Sequence, residues 1–268
     1  MIKNDSIGKL IAVTNQKGGV GKTTTAINIS TSMAAINKKV LLIDLDPQGN
    51  ASTGLGVGME KRIPGSYEIL GETFDIKKAI NRTIVQGLEI IPATVDLSAV
   101  EIELVDVDNR MRRLHRHVSL LKKKYDYVFI DCPPSLGLLT INALTAADSL
   151  LIPLQCEFYA LEGLSQLNKT INRIKENLNE KIYIEGILLT MYDKRNRISS
   201  EVKKEVIKYF GKEVFKTIIP RNVRLSEAPS HGLPAILYDI EAPGSKAYIK
   251  LAREMISRLK KGENNGKK

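Results

Sequence analysis

The segment Asn15-Gln16-Lys17-Gly18-Gly19-Val20-Gly21-Lys22-Thr23-Thr24 concentrates residue types that bind anions. Its glycines let the backbone turn tightly, so that successive N–H groups face inward at phosphate oxygens. A helix starting directly after it would add its unsatisfied N–H groups and positive dipole end to the same spot. Lys22 then reaches the β- and γ-phosphates of a nucleotide, and the Thr23 hydroxyl is placed to ligate Mg2+. The general pattern asks for Gly six residues before the lysine. This chain has Gln16 there, followed by a second lysine, Lys17. The side chain of Lys17 leaves the tight turn and serves no local folding purpose. It could reach the phosphates of a nucleotide held by a second subunit.

Carboxylates follow at the ends of two apolar runs. Asp131 closes DYVFID, a position from which an acid holds Mg2+ directly or through water. LLIDLDPQGN supplies Asp44 and Asp46, two residues apart and so facing the same way from an extended segment. Beside Mg2+ and ATP, one of the pair would serve the metal's water shell and the other would orient an attacking water.

The elements that must position these groups can be read from hydrophobic period. Strands are expected at 9–14, 39–44, 88–92, 126–131, 148–153, 184–190 and 214–220. Helices are expected at 22–36, 96–123, 138–146, 160–177, 199–210 and 244–260. Short apolar strands alternating with helices predict an α/β fold: a mostly parallel, twisted sheet with helices on both faces. Ligands in such a sheet sit at the carboxyl ends of the strands, where Asp44, Asp131, Pro153 and Pro220 fall. No linker rich in Pro, Gly or Ser divides the chain, so one domain is expected over 1–260, followed by a flexible basic tail at 261–268.

Composition narrows the partners. The 268 residues can bury a large core without disulfides or structural metal. The absence of Trp argues against a carbohydrate-binding face or a membrane-interface belt. No apolar run reaches the roughly 18 residues of a transmembrane helix, and the N-terminus lacks a signal-peptide core. Two cysteines, Cys132 and Cys156, suggest a reducing compartment, and a cytoplasmic protein is expected. The net charge of +10 is concentrated: 110–124 carries +7, 194–224 carries +7 and 245–268 carries +6. Clustered positive charge points to a polyanion such as nucleic acid or an anionic membrane, with solvated helix faces as the plain alternative. In 110–124, Leu114, Val118 and Leu121 mark a buried stripe, which leaves the Arg and Lys facing outward, and a merely solvated face is favoured. His115, His117 and His231 show no ligand spacing.

Taken together, NQKGGVGKTT, LLIDLDPQGNAS, YDYVFIDCPPSLG, CEFYALEGL and IPRNVRLSEAPSHG resemble the ParA/Soj chromosome- and plasmid-partitioning ATPases, over about residues 8–260. The short chromosomal type is the nearer match, because no helix-turn-helix domain precedes the phosphate loop. The resemblance implies a P-loop NTPase fold with a deviant Walker A loop, in which Gln16 is no departure. It implies that Lys17 is the signature lysine crossing an ATP-sandwich homodimer. Gly18, Gly19, Val20, Gly21, Lys22, Thr23 and Thr24 would line the phosphates, with Thr23 on Mg2+ and Thr24 at the α-phosphate. Asp46 would activate the attacking water, Asp131 would be the Walker B acid, and Asp44 would lie beside the metal shell. Pro220 and Asn222 would border the adenine. Arg195 and Arg224 would hold double-stranded DNA without sequence preference, placing the protein on the nucleoid. A ParB-like centromere-binding protein would stimulate a weak resting ATPase.

Two relatives of the same loop type suggest other readings. A MinD-like membrane ATPase would lay its C-terminal helix on lipid, and 244–260 has Tyr248, Leu251, Ala252, Met255, Ile256 and Leu259 at helical spacing. A terminal helix packed on the core is favoured, and a membrane is not expected as a partner. An electron carrier like the nitrogenase iron protein would need cluster-ligating cysteines, which the positions of Cys132 and Cys156 disfavour. A nucleotide-gated DNA-binding regulator with incidental hydrolysis is the third alternative, and intact Lys17 and Asp46 argue against it.

Overall fold

Four apolar runs of the sequence, at 9–13, 40–44, 127–131 and 149–155, are buried along almost their whole length, as strands covered on both faces must be. The computed structural model describes residues 8–157 and 159–265. Its strands are β1 (Lys9–Val13), β2 (Val40–Asp44), β3 (Asn81–Arg82), β4 (Leu88–Ile91), β5 (Tyr127–Asp131), β6 (Ser149–Gln155) and β7 (Tyr183–Thr190). They form one sheet in the order β3-β4-β2-β5-β1-β6-β7, parallel throughout except for the antiparallel β3–β4 pair. The helices are α1 (Lys22–Ala35), α2 (Asn50–Gly54), α3 (Ser66–Leu70), α4 (Val100–Glu103), α5 (Arg113–Val118) and α6 (Leu138–Ala146). They continue with α7 (Ala160–Asn177), α8 (Arg197–Phe210), α9 (Val223–Glu227), α10 (Ala235–Tyr238) and α11 (Pro243–Asn265).

Strand alternation divides the core in two. Leu10, Ala12, Leu41, Ile43, Val128 and Ile130 face one layer, closed by Leu139 and Ala143 of α6 and Leu164, Leu167 and Ile171 of α7. Ile11, Val13, Val40, Leu42 and Phe129 face the other, closed by Ile29 and Met33 of α1 and Leu251, Ala252 and Met255 of α11. Tyr248 of α11 is fully buried, and its hydroxyl meets Thr25 Oγ1 at 3.0 Å. The apolar stripe of the terminal helix is therefore committed to the core. No described helix is long and apolar enough to cross a membrane.

Three expectations are corrected. The helix expected over 96–123 is broken into α4, α5 and single 3-10 turns. Between them, Val105-Asp106-Val107-Asp108-Asn109 mixes β-branched residues with side chains that compete for backbone bonds, and Asn109 takes the left-handed conformation at φ 58. The strand expected at 214–220 is reduced to two bridges, Val214 with Ile187 and Pro220 with Tyr192. Its middle residues turn elsewhere: the N–H groups of Lys216 and Thr217 donate to the Glu254 carboxylate of α11 at 2.8 and 2.9 Å. The two-residue β3 lay outside any apolar run and was not expected. The last helix was expected to stop at 260 and runs to Asn265, and residues 266–268 of the expected tail lie outside the described residues.

The stripe expected in 110–124 is buried, but its cations do not all face outward: the Arg113 side chain is only 12% exposed and that of Lys122 23%. Leu114, Val118 and Leu121 are buried. Arg113 and Arg116 pair with Glu72, Lys122 with Asp148, and Lys124 with Glu89.

Candidate active site

The carboxyl ends of β1, β2 and β5 converge on one crevice. The chain leaves β1 toward β2 on one side and crosses from β5 to β6 on the other, which makes this edge the topological switch point. The loop after β1 is fastened at its root. Asn15 Nδ2 donates to Pro153 O at 2.8 Å, and Asn15 Oδ1 accepts from the Lys17 N–H at 3.0 Å. Its far side is tied to β7 through Thr190 Oγ1, which donates to Val20 O at 2.8 Å. Gly19 and Gly21 adopt φ 72 and 88, the left-handed region that glycine enters without strain. Gly21 precedes α1 without a side-chain cap, and the first turn of α1 carries no acid. The leading N–H groups of α1 therefore remain free for an anionic ligand.

Lys22 is buried, with Nζ donating to the Lys17 carbonyl at 3.0 Å. Burial lowers its pKa, while Asp131, Cys132 and Asp46 act in the opposite sense. Asp44 and Asp131 stand opposite each other on β2 and β5, both fully buried. Asp44 is satisfied: Oδ2 accepts from Ser52 N and Oγ at 2.8 and 2.7 Å, and Oδ1 accepts from Asp46 N at 3.2 Å. Burial pushes its pKa up to about 6 against those hydrogen bonds. Asp131 is not satisfied. Both of its oxygens are buried without a hydrogen-bond partner among the described residues. Burial and the neighbouring Asp44 push its pKa well above the usual carboxylate range, opposed by Thr23 and Lys22. Asp46 is buried and caps its own turn, with Oδ1 accepting from Gln48 N at 3.0 Å.

An orphaned buried carboxylate beside the Thr23 hydroxyl offers the hard oxygen donors of a Mg2+ site, and the Lys22 ammonium suits the phosphates that would accompany the ion. Among the described residues no group of three or more His, Cys, Asp or Glu could hold a metal alone.

A cleft of about 160 Å³ opens beside the loop, lined in part by Gly21, Thr24, Met191, Pro220, Asn222 and Tyr248. Asn222 Oδ1 is buried there with no hydrogen-bond partner among the described residues, an acceptor awaiting a donor.

A family model described as an AAA domain matches residues 8–184. The chain is 55% identical over 249 residues to the sporulation initiation inhibitor protein Soj of Bacillus subtilis, spanning 93% of this chain and 98% of that protein. It is 54% identical over 252 residues to the chromosome partitioning protein ParA of Caulobacter vibrioides, spanning 93% and 94%. A solved structure of cobyrinic acid a,c-diamide synthase from Mycobacterium smegmatis, with bound ATP analog and magnesium, matches with a TM-score of 0.84. That match has 34% identity and covers 96% of this chain and 97% of the other. The chain belongs to the ParA/Soj family of chromosome-partitioning ATPases.

The residues expected to serve this ParA/Soj chain are only partly gathered at the crevice. Lys17 lies at its rim, half exposed, with Nζ on Glu157 Oε2 at 2.6 Å. Arg195 sits away from the crevice and is 90% exposed, gripped by Asp193 through Nε at 3.1 Å and a terminal nitrogen at 2.9 Å. With Lys194, Lys203, Arg221, Lys246 and Lys250 it lines a wide basic groove, one wall of which is Pro220. Arg224 does not line that groove. It pairs with Glu227 at 2.9 Å and Asp239 at 3.4 Å.

Several residues of the site were not singled out from sequence. Ser52 anchors Asp44, and Ala93 N also donates to its hydroxyl at 3.1 Å. Ser52 and Glu157 lie within the family motifs LLIDLDPQGNAS and CEFYALEGL, which are their signal in the sequence. Arg62 lies in none. It is buried, and its guanidinium donates to Gly49 O, Val57 O and Thr53 Oγ1, clamping α2 behind Asp46.

Proposed function

We propose that this chain hydrolyses ATP with Mg2+ in order to move DNA, by a cycle in which two subunits sandwich nucleotide, bind double-stranded DNA and release it after hydrolysis. The observation that carries the reading is a buried lysine, Lys22, and a buried Asp131 without a hydrogen-bond partner among the described residues, both set by the uncapped N-terminus of α1. The loop backbone from Gly18 to Gly21 and Lys22 would bind the triphosphate, with Thr24 at the α-phosphate. Thr23 and Asp131 would hold Mg2+, which would neutralise charge on the phosphates. Asp44 would keep α2 and the Asp46 turn in place through Ser52, within reach of the metal's water shell. Asp46 would orient the attacking water and accept its proton.

Pro220 and Asn222 would border the base, the buried Asn222 oxygen accepting from an exocyclic amine. Lys17 would cross to the partner's nucleotide. Such a reaction needs positioning and charge neutralisation more than covalent chemistry, so a slow resting rate that a partner accelerates is consistent with it. We assign that role to a ParB-like centromere-binding protein. Arg195, Arg224 and the basic groove would contact DNA phosphates, giving sequence-independent attachment to the nucleoid.

The decisive experiment is co-sedimentation with random-sequence DNA, with and without ATP and Mg2+, for the natural chain and Asp46→Ala. ATP should be required for binding, and Asp46→Ala should stay bound with hydrolysis reduced about 100-fold or more. Normal turnover by Asp46→Ala, or DNA binding indifferent to ATP, would refute the cycle.

A further inference from the structure

The segment 155–157 at the end of β6 has no role in the cycle as described, yet it holds the one lysine expected to leave its own subunit. Lys17 Nζ donates to Glu157 Oε2 at 2.6 Å, and Gln155 Nε2 donates to Glu157 Oε1 at 2.5 Å. The Lys17 and Glu157 side chains are 41% and 49% exposed. The loop root does not need this pair, because Asn15 already bonds both Pro153 O and the Lys17 N–H. The pair instead decides where the ammonium waits. A carboxylate carries one negative charge, whereas a nucleoside triphosphate carries several, so Lys17 can exchange the first for the second when a phosphate comes within reach.

We propose that Glu157 is a positioning residue that parks Lys17 in the nucleotide-free subunit, and that dimerisation swaps this carboxylate for the partner's triphosphate. The proposal rests on the reading of Lys17 as the lysine that crosses the sandwich. Each subunit must release one such pair, so its cost enters the dimer equilibrium twice. A half-exposed pair shifts an equilibrium by about 1.4- to 5-fold, and two of them by about 2- to 25-fold. Parking thereby raises the threshold for dimerisation without changing what the finished site does.

The test measures the ATP-dependent dimer dissociation constant by sedimentation in the full chain carrying Asp46→Ala, alone and with Glu157→Gln or Glu157→Asp. Glu157→Gln should tighten the dimer by about 2- to 25-fold at low salt, with the gap closing toward 1 M salt as exposed charges are screened. Glu157→Asp keeps the charge and should fall back toward the natural value. A second readout needs no dimer: the rate at which a small amine-acetylating ester modifies Lys17 in nucleotide-free protein, followed by mass spectrometry. That rate should rise in Glu157→Gln.

An unchanged Lys17 rate overturns the parking contact. A raised rate with an unchanged or weaker dimer overturns the exchange, because Glu157 would then be holding Lys17 productively within the dimer. If Asp46→Ala does not dimerise with ATP at all, it is the sandwich reading that fails, and the Lys17 rate still decides whether the residue is parked.

Discussion

At the scale of single residues, the site separates groups that are already satisfied from groups that are waiting. Asp44 has its hydrogen bonds from Ser52 and Asp46, whereas Asp131 and Asn222 bury oxygens with no partner among the described residues. A buried polar atom left unpaired costs about 1–3 kcal/mol, which a ligand that pairs with it would recover. Lys22 waits in another way, with its ammonium parked on the Lys17 carbonyl. Lys22→Ala should weaken ATP binding by roughly 100-fold, since a buried charge-assisted contact is worth about 1.5–3 kcal/mol and the phosphates lose their main cation. Equilibrium titration with a fluorescent ATP analogue checks this, and a loss of under about 3-fold would remove Lys22 from the site. Ser52→Ala should act through Asp44. It removes one of the two Ser52 bonds to a fully buried carboxylate, costing about 1–3 kcal/mol in chemical unfolding. Turnover should fall while ATP affinity is nearly kept.

At the scale of elements, legibility followed hydrophobic period and local punctuation. The helices at 138–146 and 160–177 were expected with their observed bounds, and six strands fell within two residues of theirs. Period fails where tertiary contacts decide. The 214–220 run has strand-forming residues, but Glu254 reaches it from α11 and takes the N–H groups of Lys216 and Thr217, between the two bonds that Phe215 and Ile219 still donate to β7. The phosphate loop and the acids were legible because their chemistry fixes residue type and spacing together. Arg62 was not, because a buried guanidinium bonded to carbonyl oxygens leaves no motif. The terminal helix was ambiguous in sequence, since one apolar stripe suits either lipid or a core, and its contact with α1 resolves it. Leu251 is fully buried in that contact. Leu251→Ala should cost about 2–5 kcal/mol and lower the thermal midpoint accordingly. A helix that served lipid instead would tolerate the change in solution.

At the scale of the whole molecule, the net charge of +10 is unevenly available. In the 110–124 segment four cations are paired with Glu72, Asp148 and Glu89, which makes that cluster part of the fold's own electrostatics. Around Arg195 the cations line one groove, and the carboxylate among its lining residues is Asp193. Arg195 and Arg224 are also paired, with Asp193 and with Glu227 and Asp239, but their own side chains are exposed, at 90% and 50%, where Arg113 and Lys122 are largely covered. Such pairs are worth little in water and less in salt. DNA affinity in the proposed dimer should therefore fall linearly in log–log plots against salt, with a slope near −0.9 for each phosphate neutralised. Arg195→Ala removes one contact per subunit and two per dimer, so the slope should become shallower by about 1.8. Arg224→Ala should do the same if its guanidinium leaves Glu227 and Asp239 for DNA. It should change the slope little if those carboxylates keep it. Arg224 lies off the groove that Arg195 lines, so the two slopes, measured by fluorescence anisotropy between about 50 and 200 mM salt, would tell how far around the molecule the DNA face extends.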